Sequence, residues 1–274
     1  MAEVRWPNGA RCAVAITFDV DAEALYLFHQ ENERRPKTLS MGTYGPLRGV
    51  PRILDLLDRQ GIRATFFIPG WTMDHWPEQT REIARRGHEI AAHGYLHEQF
   101  DTLSPDEQRA VHRRSQEAAQ RVIGRRMVGV RPPGEYTPET LAIVREMGYL
   151  YDANLRGDDR PYRVKIDGQT TDLIEIPAHW ELDDAPYFLF AAGTGYAPLR
   201  IQSPLVAYEA WTREFDGYYR EGLCYVLMTH PQLIGKPGRA LMLEQVIAYI
   251  KGHEKVWFAT CEEIARWWLE SGQP

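Results

Sequence analysis

The sequence predicts an α/β protein whose strands form a closed or nearly closed (β/α) barrel of seven or eight strands. Three observations carry this reading. Short apolar runs alternate with stretches of helical spacing along most of the 274 residues, the pattern of repeated βα units and a mostly parallel sheet. Seven or eight such runs in one chain suit a barrel better than an open, doubly wound sheet. No GxGxxG follows the first strand, which weakens the open dinucleotide-binding alternative. Without an internal repeat, low-complexity tract or Ser/Gly linker, residues 1–274 read as a single domain.

The elements follow in order. CAVAITF (12–18) reads as the first strand. In GVPRILDLLDRQ, Val50, Ile53, Leu54, Leu56 and Leu57 recur as on one helical face, and Gly61 closes the helix. RATFFIP (63–69) is the next strand, PEQTREIARR (77–86) a helix ended by Gly87, and HEIAAH (88–93) a third strand. The following helix opens with Ser104 as N-cap, Pro105 at the first position and Glu107 placed for a capping box. MVGVRPP (127–133) is strand four, followed by the helix TPETLAIVREMG; YLYDANL and LIEIP are further strands. The chain ends with helix YEAWTREFDGYYREG, strand LCYVLMTH, helix ALMLEQVIAYIKGH, strand VWFAT and helix CEEIARWWLE.

Residues 23–46 and 178–206 break this rhythm. They are weakly periodic and carry Tyr26, Phe28, Tyr44, Trp180, Tyr187, Phe188, Phe190 and Tyr196. Loops of this length in a compact domain are functional or disordered, and aromatic content argues against disorder. They are expected to wall a pocket or form a subunit contact, the latter leaving room for a homo-oligomer.

A net charge of −6 argues against a nucleic-acid partner, which calls for a basic face. No apolar run approaches the ~18 residues of a membrane-spanning helix, and MAEVRWPNGA lacks the apolar core of a secretory signal. Cys12, Cys224 and Cys261 lie far apart and form no CxxC. They read as reduced thiols in a cytoplasmic protein, with Cys12 and Cys224 inside apolar runs and so in the core.

Polar residues interrupt the pattern at strand ends: Asp19 and Asp21 after the first strand, His93 after the third, Arg131 after the fourth and His230 after LCYVLMT. In a parallel barrel those ends converge on the face where barrel enzymes keep their sites. HGYLH (93–97) spaces two imidazoles at i and i+4, which on a helical turn share one face and can share a metal ion. An aspartate from the first strand would complete a set of two His and one carboxylate that leaves coordination positions open. A divalent cation held there acidifies water and polarises a carbonyl oxygen. One aspartate would be ligand and a second general base; FDVDAE offers both, spaced so that they need not point the same way. Glu23 is left over as a solvated or supporting carboxylate.

These residues also carry a resemblance. TFDVD (17–21), HGYLH (93–97), RPPGEY (131–136) and LMTHP (227–231) follow in the order of the four motifs of the polysaccharide deacetylase (NodB-homology) family. The chain therefore resembles that family from about Cys12 to Cys261, and the implied fold is a distorted or incomplete, TIM-like (β/α) barrel. The resemblance implies Asp19 as general base, Asp21, His93 and His97 as metal ligands, and Arg131 as the partner that orients the base. It implies His230 as the acid that protonates the leaving amine. A backbone N–H in the turn containing Gly134, Glu135 and Tyr136 would help hold the oxyanion, and Trp180 is a candidate pocket wall.

Three departures are shared with one branch: FDVD for FDD, Gly94 for Ser or Thr, and RPPGEY for a shorter segment. They resemble the branch holding Helicobacter-type peptidoglycan deacetylases, cyclic imidases and allantoinase-like enzymes. The expectation is a hydrolase of non-peptide C–N amide bonds using one divalent ion, zinc foremost, with cobalt, nickel, manganese and iron compatible. A small linear or cyclic amide or imide is favoured over an N-acetylated sugar or peptidoglycan fragment, because the aromatic loops suit a closed site. A non-catalytic sugar- or amide-binding barrel is the alternative of another class; it predicts loss of a ligand or the base, and neither is lost. His88, His112 and His253 read as structural or solvated, His179 as a candidate for the pocket, and Trp257, Trp267 and Trp268 as core or interface.

Overall fold

The computed structural model describes residues 4–189 and 201–273. Its nine strands are β1 (Cys12–Asp19), β2 (Thr65–Ile68), β3 (Glu89–Ala92), β4 (Gly129–Val130), β5 (Tyr151–Asp152), β6 (Tyr162–Ile166), β7 (Gln169–Glu175), β8 (Cys224–Thr229) and β9 (Val256–Phe258). They form one sheet in the order β6-β7-β5-β4-β3-β2-β1-β8, with β9 also on β1. β6 and β8 stand at opposite ends of that order, so the sheet curls into an incomplete barrel, as the sequence predicted.

Eight strands run parallel, and only β6 pairs antiparallel, with β7. β1 is the hub. It pairs along Ala13–Phe18 with β8, while its other edge is shared by β9 at Cys12–Val14 and β2 at Thr17–Asp19. All eight of its residues are buried, as expected of a strand covered on both faces.

The helices close as local chemistry dictates. Val50–Gln60 ends at Gly61 and Pro105–Ile123 at Gly124, both left-handed. The Ser104–Glu107 capping box is present, and Thr260 and Glu263 form a second one at the last helix. Most buried apolar side chains fall into two clusters. The larger contains Phe18, Phe66 and Trp211; the smaller contains Trp6, Phe67 and Trp268. Cys12, Cys224 and Cys261 are free and buried, and burial pushes Cys12 and Cys261 up to about 12, so these thiols are core material.

Three elements differ from the sequence reading. The sheet has a ninth strand, because β6 forms a hairpin with β7 around Asp167 and Gly168, both at positive φ. Residues 23–46 are not a loop: they hold helices Ala24–Leu27 and Pro36–Tyr44, with a 3-10 turn between. In 178–206, Trp180–Leu182 and Ala185–Phe188 are helical turns, whereas Phe190 and Tyr196 lie outside the described residues. Among the described residues no helix is long and apolar enough to cross a membrane.

Candidate active site

A cleft of about 570 Å³ opens where the parallel strands end, and it is lined by Asp19, Asp21, His93, His97, Arg131 and His230 together. The convergence expected from the sequence is therefore realised in space. Val20 explains how FDVD serves it. Its side chain is buried in the larger core cluster, so the residues on either side face the other way, as alternation along an extended chain requires. Both aspartates thus reach the cleft.

The histidines sit on a turn, not on a helix. Gly94 has φ +66° and His97 φ +57°. Gly94 supplies a left-handed kink that a side chain resists, and its carbonyl accepts hydrogen bonds from the Gly70 amide and the Ser115 hydroxyl. A non-glycine residue at positive φ is unusual, and such conformations gather at functional sites.

The His93 imidazole is aimed by its other nitrogen. His93 Nδ1 lies 2.5 Å from the carbonyl oxygen of Arg131; a carbonyl only accepts, so Nδ1 carries the proton and Nε2 is free to bind. That Nε2 stands 3.4 Å from Asp21 Oδ1 and 3.8 Å from Asp19 Oδ2. His97 Nε2 is 3.9 Å from Asp21 Oδ1, and burial lowers its pKa to about 4, leaving a neutral ring with a lone pair at neutral pH.

Asp21 is the centre of this group. Its Oδ2 accepts from Gln232 Nε2 at 3.1 Å and its carbonyl from Thr72 Oγ1 at 2.9 Å, while Oδ1 is buried with no hydrogen-bond partner. Burial alone would raise its pKa, but the imidazoles of His93, His97 and His230 around it hold it well below the carboxylate range. Candidate ligand atoms of Asp21, His93 and His97 all lie within 4.8 Å of one another. An orphaned carboxylate oxygen facing two imidazole nitrogens fits a divalent cation.

Asp183, Asp184 and His230 satisfy the same spacing, but their hydrogen bonds are already made. His230 Nδ1 is 2.6 Å from Asp184 Oδ1, and the His230 amide donates to both Asp184 oxygens at 3.1 Å. The nitrogen facing the carboxylate carries a proton, leaving Nε2 towards the cleft, 3.9 Å from Asp21 Oδ2. Burial would lower the pKa of His230, but Asp184 outweighs it and the net direction is strongly upward. Burial pushes Asp183 up to about 7 even though His230 draws it down.

Arg131 is fixed on several sides. Nη1 lies 2.5 Å from Asp19 Oδ1 and 3.3 Å from Thr17 Oγ1, Nε donates to the Ala153 carbonyl at 2.8 Å, and the guanidinium stacks over Phe67 at 4.0 Å. Gly134, Glu135 and Trp180 line the cleft. Tyr136 does not: its hydroxyl donates to the Asp152 carboxylate at 2.8 Å, where two buried carboxyl groups, Asp152 and Glu175, pair across adjacent strands. His179 also departs from its expected place, with Nε2 turned towards the Asp158 carbonyl and Asp159. Glu23 accepts from Thr43 Oγ1 at 2.7 Å and Trp76 Nε1 at 2.9 Å, tying the strand-end turn to its neighbours.

Sequence reading missed Asp183, Asp184, Gln232, Asn154 and Arg156, all at or beside the cleft. Gln232 was readable as the residue after LMTHP. The aspartate pair lay in a stretch without periodicity to place it.

Three comparisons bear on identity. A curated peptidoglycan deacetylase of Helicobacter pylori is 32% identical over 92% of this chain and 94% of its own length. A crystal structure from Mycobacterium smegmatis, assigned to the polysaccharide deacetylases, superposes with a TM-score of 0.93 at 40% identity, covering 100% of this chain and 95% of that one. The crystal structure of PuuE allantoinase superposes with a TM-score of 0.85 at 26% identity, covering 97% and 93%. The polysaccharide deacetylase family model matches residues 8–151, and with relatives spanning nearly the whole chain, this protein belongs to the polysaccharide deacetylase family.

Proposed function

We propose that this family hydrolase cleaves a non-peptide amide C–N bond with Asp19 as general base and His230 as general acid. The observation that carries the reading is one cleft holding the orphaned Asp21 oxygen, the two imidazoles, the Asp19–Arg131 pair and the His230–Asp184 pair. Metal dependence is general in the family, and Asp21, His93 and His97 would hold the ion, zinc foremost. Bound there, a divalent ion supplies Lewis acidity that polarises an amide carbonyl and lowers the pKa of water.

The protein's own groups do the rest. Arg131 holds Asp19 in one orientation, and Asp19 takes the proton from the attacking water. Backbone N–H groups at Gly134 and Glu135 are the candidate donors for the oxyanion. His230, kept protonated by Asp184, gives its Nε2 proton to the departing nitrogen. Leu25, Leu189, Trp180 and Pro186 in the lining keep water from the reacting bond.

The favoured substrate is a small linear or cyclic amide. A cleft of about 570 Å³ lies in the range of small-molecule sites, and the allantoinase neighbour shares the fold over nearly the full chain. The second reading, an N-acetylated sugar of peptidoglycan, is favoured by the Helicobacter pylori relative. Buried reduced thiols support a cytoplasmic location, which also suits the small substrate. Zinc-loaded protein assayed on N-acetylglucosamine oligomers, small cyclic imides and ureides tests the reading. Release of carboxylate from an imide or ureide, with the sugars inert, is expected. Turnover of the oligomers alone establishes the second reading, and no turnover of any amide defeats both.

A further inference from the structure

We propose that Arg156, stacked on Trp180, is a specificity-determining residue that binds a carboxylate on the substrate. The inference rests on the amide-hydrolase reading of the same cleft and adds the chemical class of its substrate.

Arg156 lines the cleft, with its guanidinium 4.2 Å from the centre of the Trp180 ring. Trp180 is 55% exposed, a large open ring for a surface residue. Among the described residues Arg156 makes no ion pair. Asp158 and Asp159, close to it in sequence, are engaged elsewhere, Asp158 with Arg160 at 3.1 Å and Asp159 with His179 at 3.4 Å. Residues 190–200 contain no Asp or Glu that could serve it. Its Nε is buried without an acceptor. The other arginine in the lining, Arg131, is committed to Asp19.

The backbone carrying Arg156 is fixed. Glu175 Oε1 accepts from the Asn154 amide at 2.9 Å and the Leu155 amide at 2.8 Å, and the Leu155 carbonyl accepts from Ala178. A guanidinium held over an indole ring is pre-oriented, and its fork matches a carboxylate in two parallel hydrogen bonds. Of the carboxylates in the lining, Asp19, Asp21 and Asp183 are buried against Arg131, His93 and His230, while Asp101 and Glu135 are exposed, where solvent screens their repulsion of an incoming anion. The matching substrate is an amide that also carries a carboxylate. That chemistry has two sources, a small monoamide or ureido acid and an acid-bearing amino sugar.

The test is calorimetry on zinc-loaded protein, using the monohydroxamates of succinate, glutarate and adipate against their neutral carboxamide counterparts. A hydroxamate anchors at the cation, and the series varies the reach of the acid. The acid form at the matching length is expected to bind roughly tenfold to a hundredfold tighter, the span of a charge-assisted hydrogen bond to an otherwise unpaired ion. Arg156→Gln should bring that ratio to about one, and Arg156→Lys should keep part of it. Using the ratio cancels any loss of affinity common to both forms.

Equal binding of acid and amide by the wild type, or a ratio unchanged in Arg156→Gln, overturns the inference while leaving the amide-hydrolase reading intact. Failure of every hydroxamate to bind overturns the reading of the cation site and this inference with it. With the hydroxamate preference present, an Arg156-dependent preference for N-acetylmuramic acid over N-acetylglucosamine assigns the carboxylate to a sugar. Its absence assigns the carboxylate to a small amide acid.

Discussion

Arg131 Nη1 lies 2.5 Å from Asp19 Oδ1, with both side chains buried. The same residue's carbonyl receives the Nδ1 proton of His93. One residue after β4 therefore orients both the proposed base and a proposed ligand, so errors in its placement would be felt twice. Asp19→Asn isolates the base. Asparagine keeps a carbonyl acceptor for Arg131 at nearly the same shape but cannot take a proton from water. Turnover is expected to fall by about 10²–10⁴-fold, with zinc content by elemental analysis still equal to wild type. Wild-type turnover in that variant would remove Asp19 from the mechanism.

Gln232 bears on the proposed ligand Asp21. Its amide donates to Asp21 Oδ2 and leaves Oδ1 as the single unsatisfied oxygen, which orients the carboxylate to offer one atom. Removing groups that orient ligands costs about 10–100-fold in metal affinity. Gln232→Leu, similar in size, is expected to weaken zinc binding by that factor in a competition with a chromophoric chelator. An unchanged zinc affinity would mean that Asp21 is oriented by the Thr72 contact and the backbone alone.

Much of this was legible because strand-end residues follow simple rules. Asp19, Arg131 and His230 each follow a strongly apolar run, and His93 the short run Ile90–Ala92, and a parallel sheet sends such positions to one face. What escaped lay where local pattern is weak. β6 has only one buried residue in five, so its alternation was faint, although the Asp167–Gly168 pair is a recognised hairpin signal. The HGYLH spacing suits two ligands on one helical turn, but Gly94 at positive φ turns the chain instead. Tyr136 looked like a substrate contact from its motif, yet its partner Asp152 comes from a strand that no local signal links to it. Asp183 and Asp184 could be recognised only in space, beside His230.

The His230–Asp184 pair makes a statement about pH. Asp184 raises the His230 pKa against the effect of burial, so the protonated acid persists to higher pH than a free imidazole would. Activity that depends on this acid should be retained at low pH and lost as pH rises through the raised value. Asp184→Asn removes the charge, and the alkaline limb of the kcat/KM profile is expected to move to lower pH. An alkaline limb at the same position in the variant would show that it belongs to another group.

His112 gives a pH effect on stability that is remote from the cleft. Its ring lies on the helix Pro105–Ile123 with centroids 5.2 Å from Phe100 and 5.3 Å from Tyr149, and neither ring nitrogen has a hydrogen-bond partner. Burial lowers its pKa from 6.5 to about 4, so the folded state holds it neutral while the unfolded chain protonates near 6.5. Above pH 6.5 the ring is neutral in both states and adds no pH dependence to stability. Between 6.5 and 4 the unfolded state binds the extra proton, and stability falls as pH falls, by up to roughly 3 kcal/mol from this group. His88, also lowered to about 4 by burial, acts in the same direction, so removing one histidine should leave part of the slope. His112→Phe suits the aromatic slot and cannot protonate. Its loss of urea-unfolding free energy between pH 7 and pH 4.5 is expected to be smaller than that of the wild type by about 1–3 kcal/mol. Identical losses in the two proteins would show that His112 keeps an ordinary pKa and that the acid sensitivity arises elsewhere.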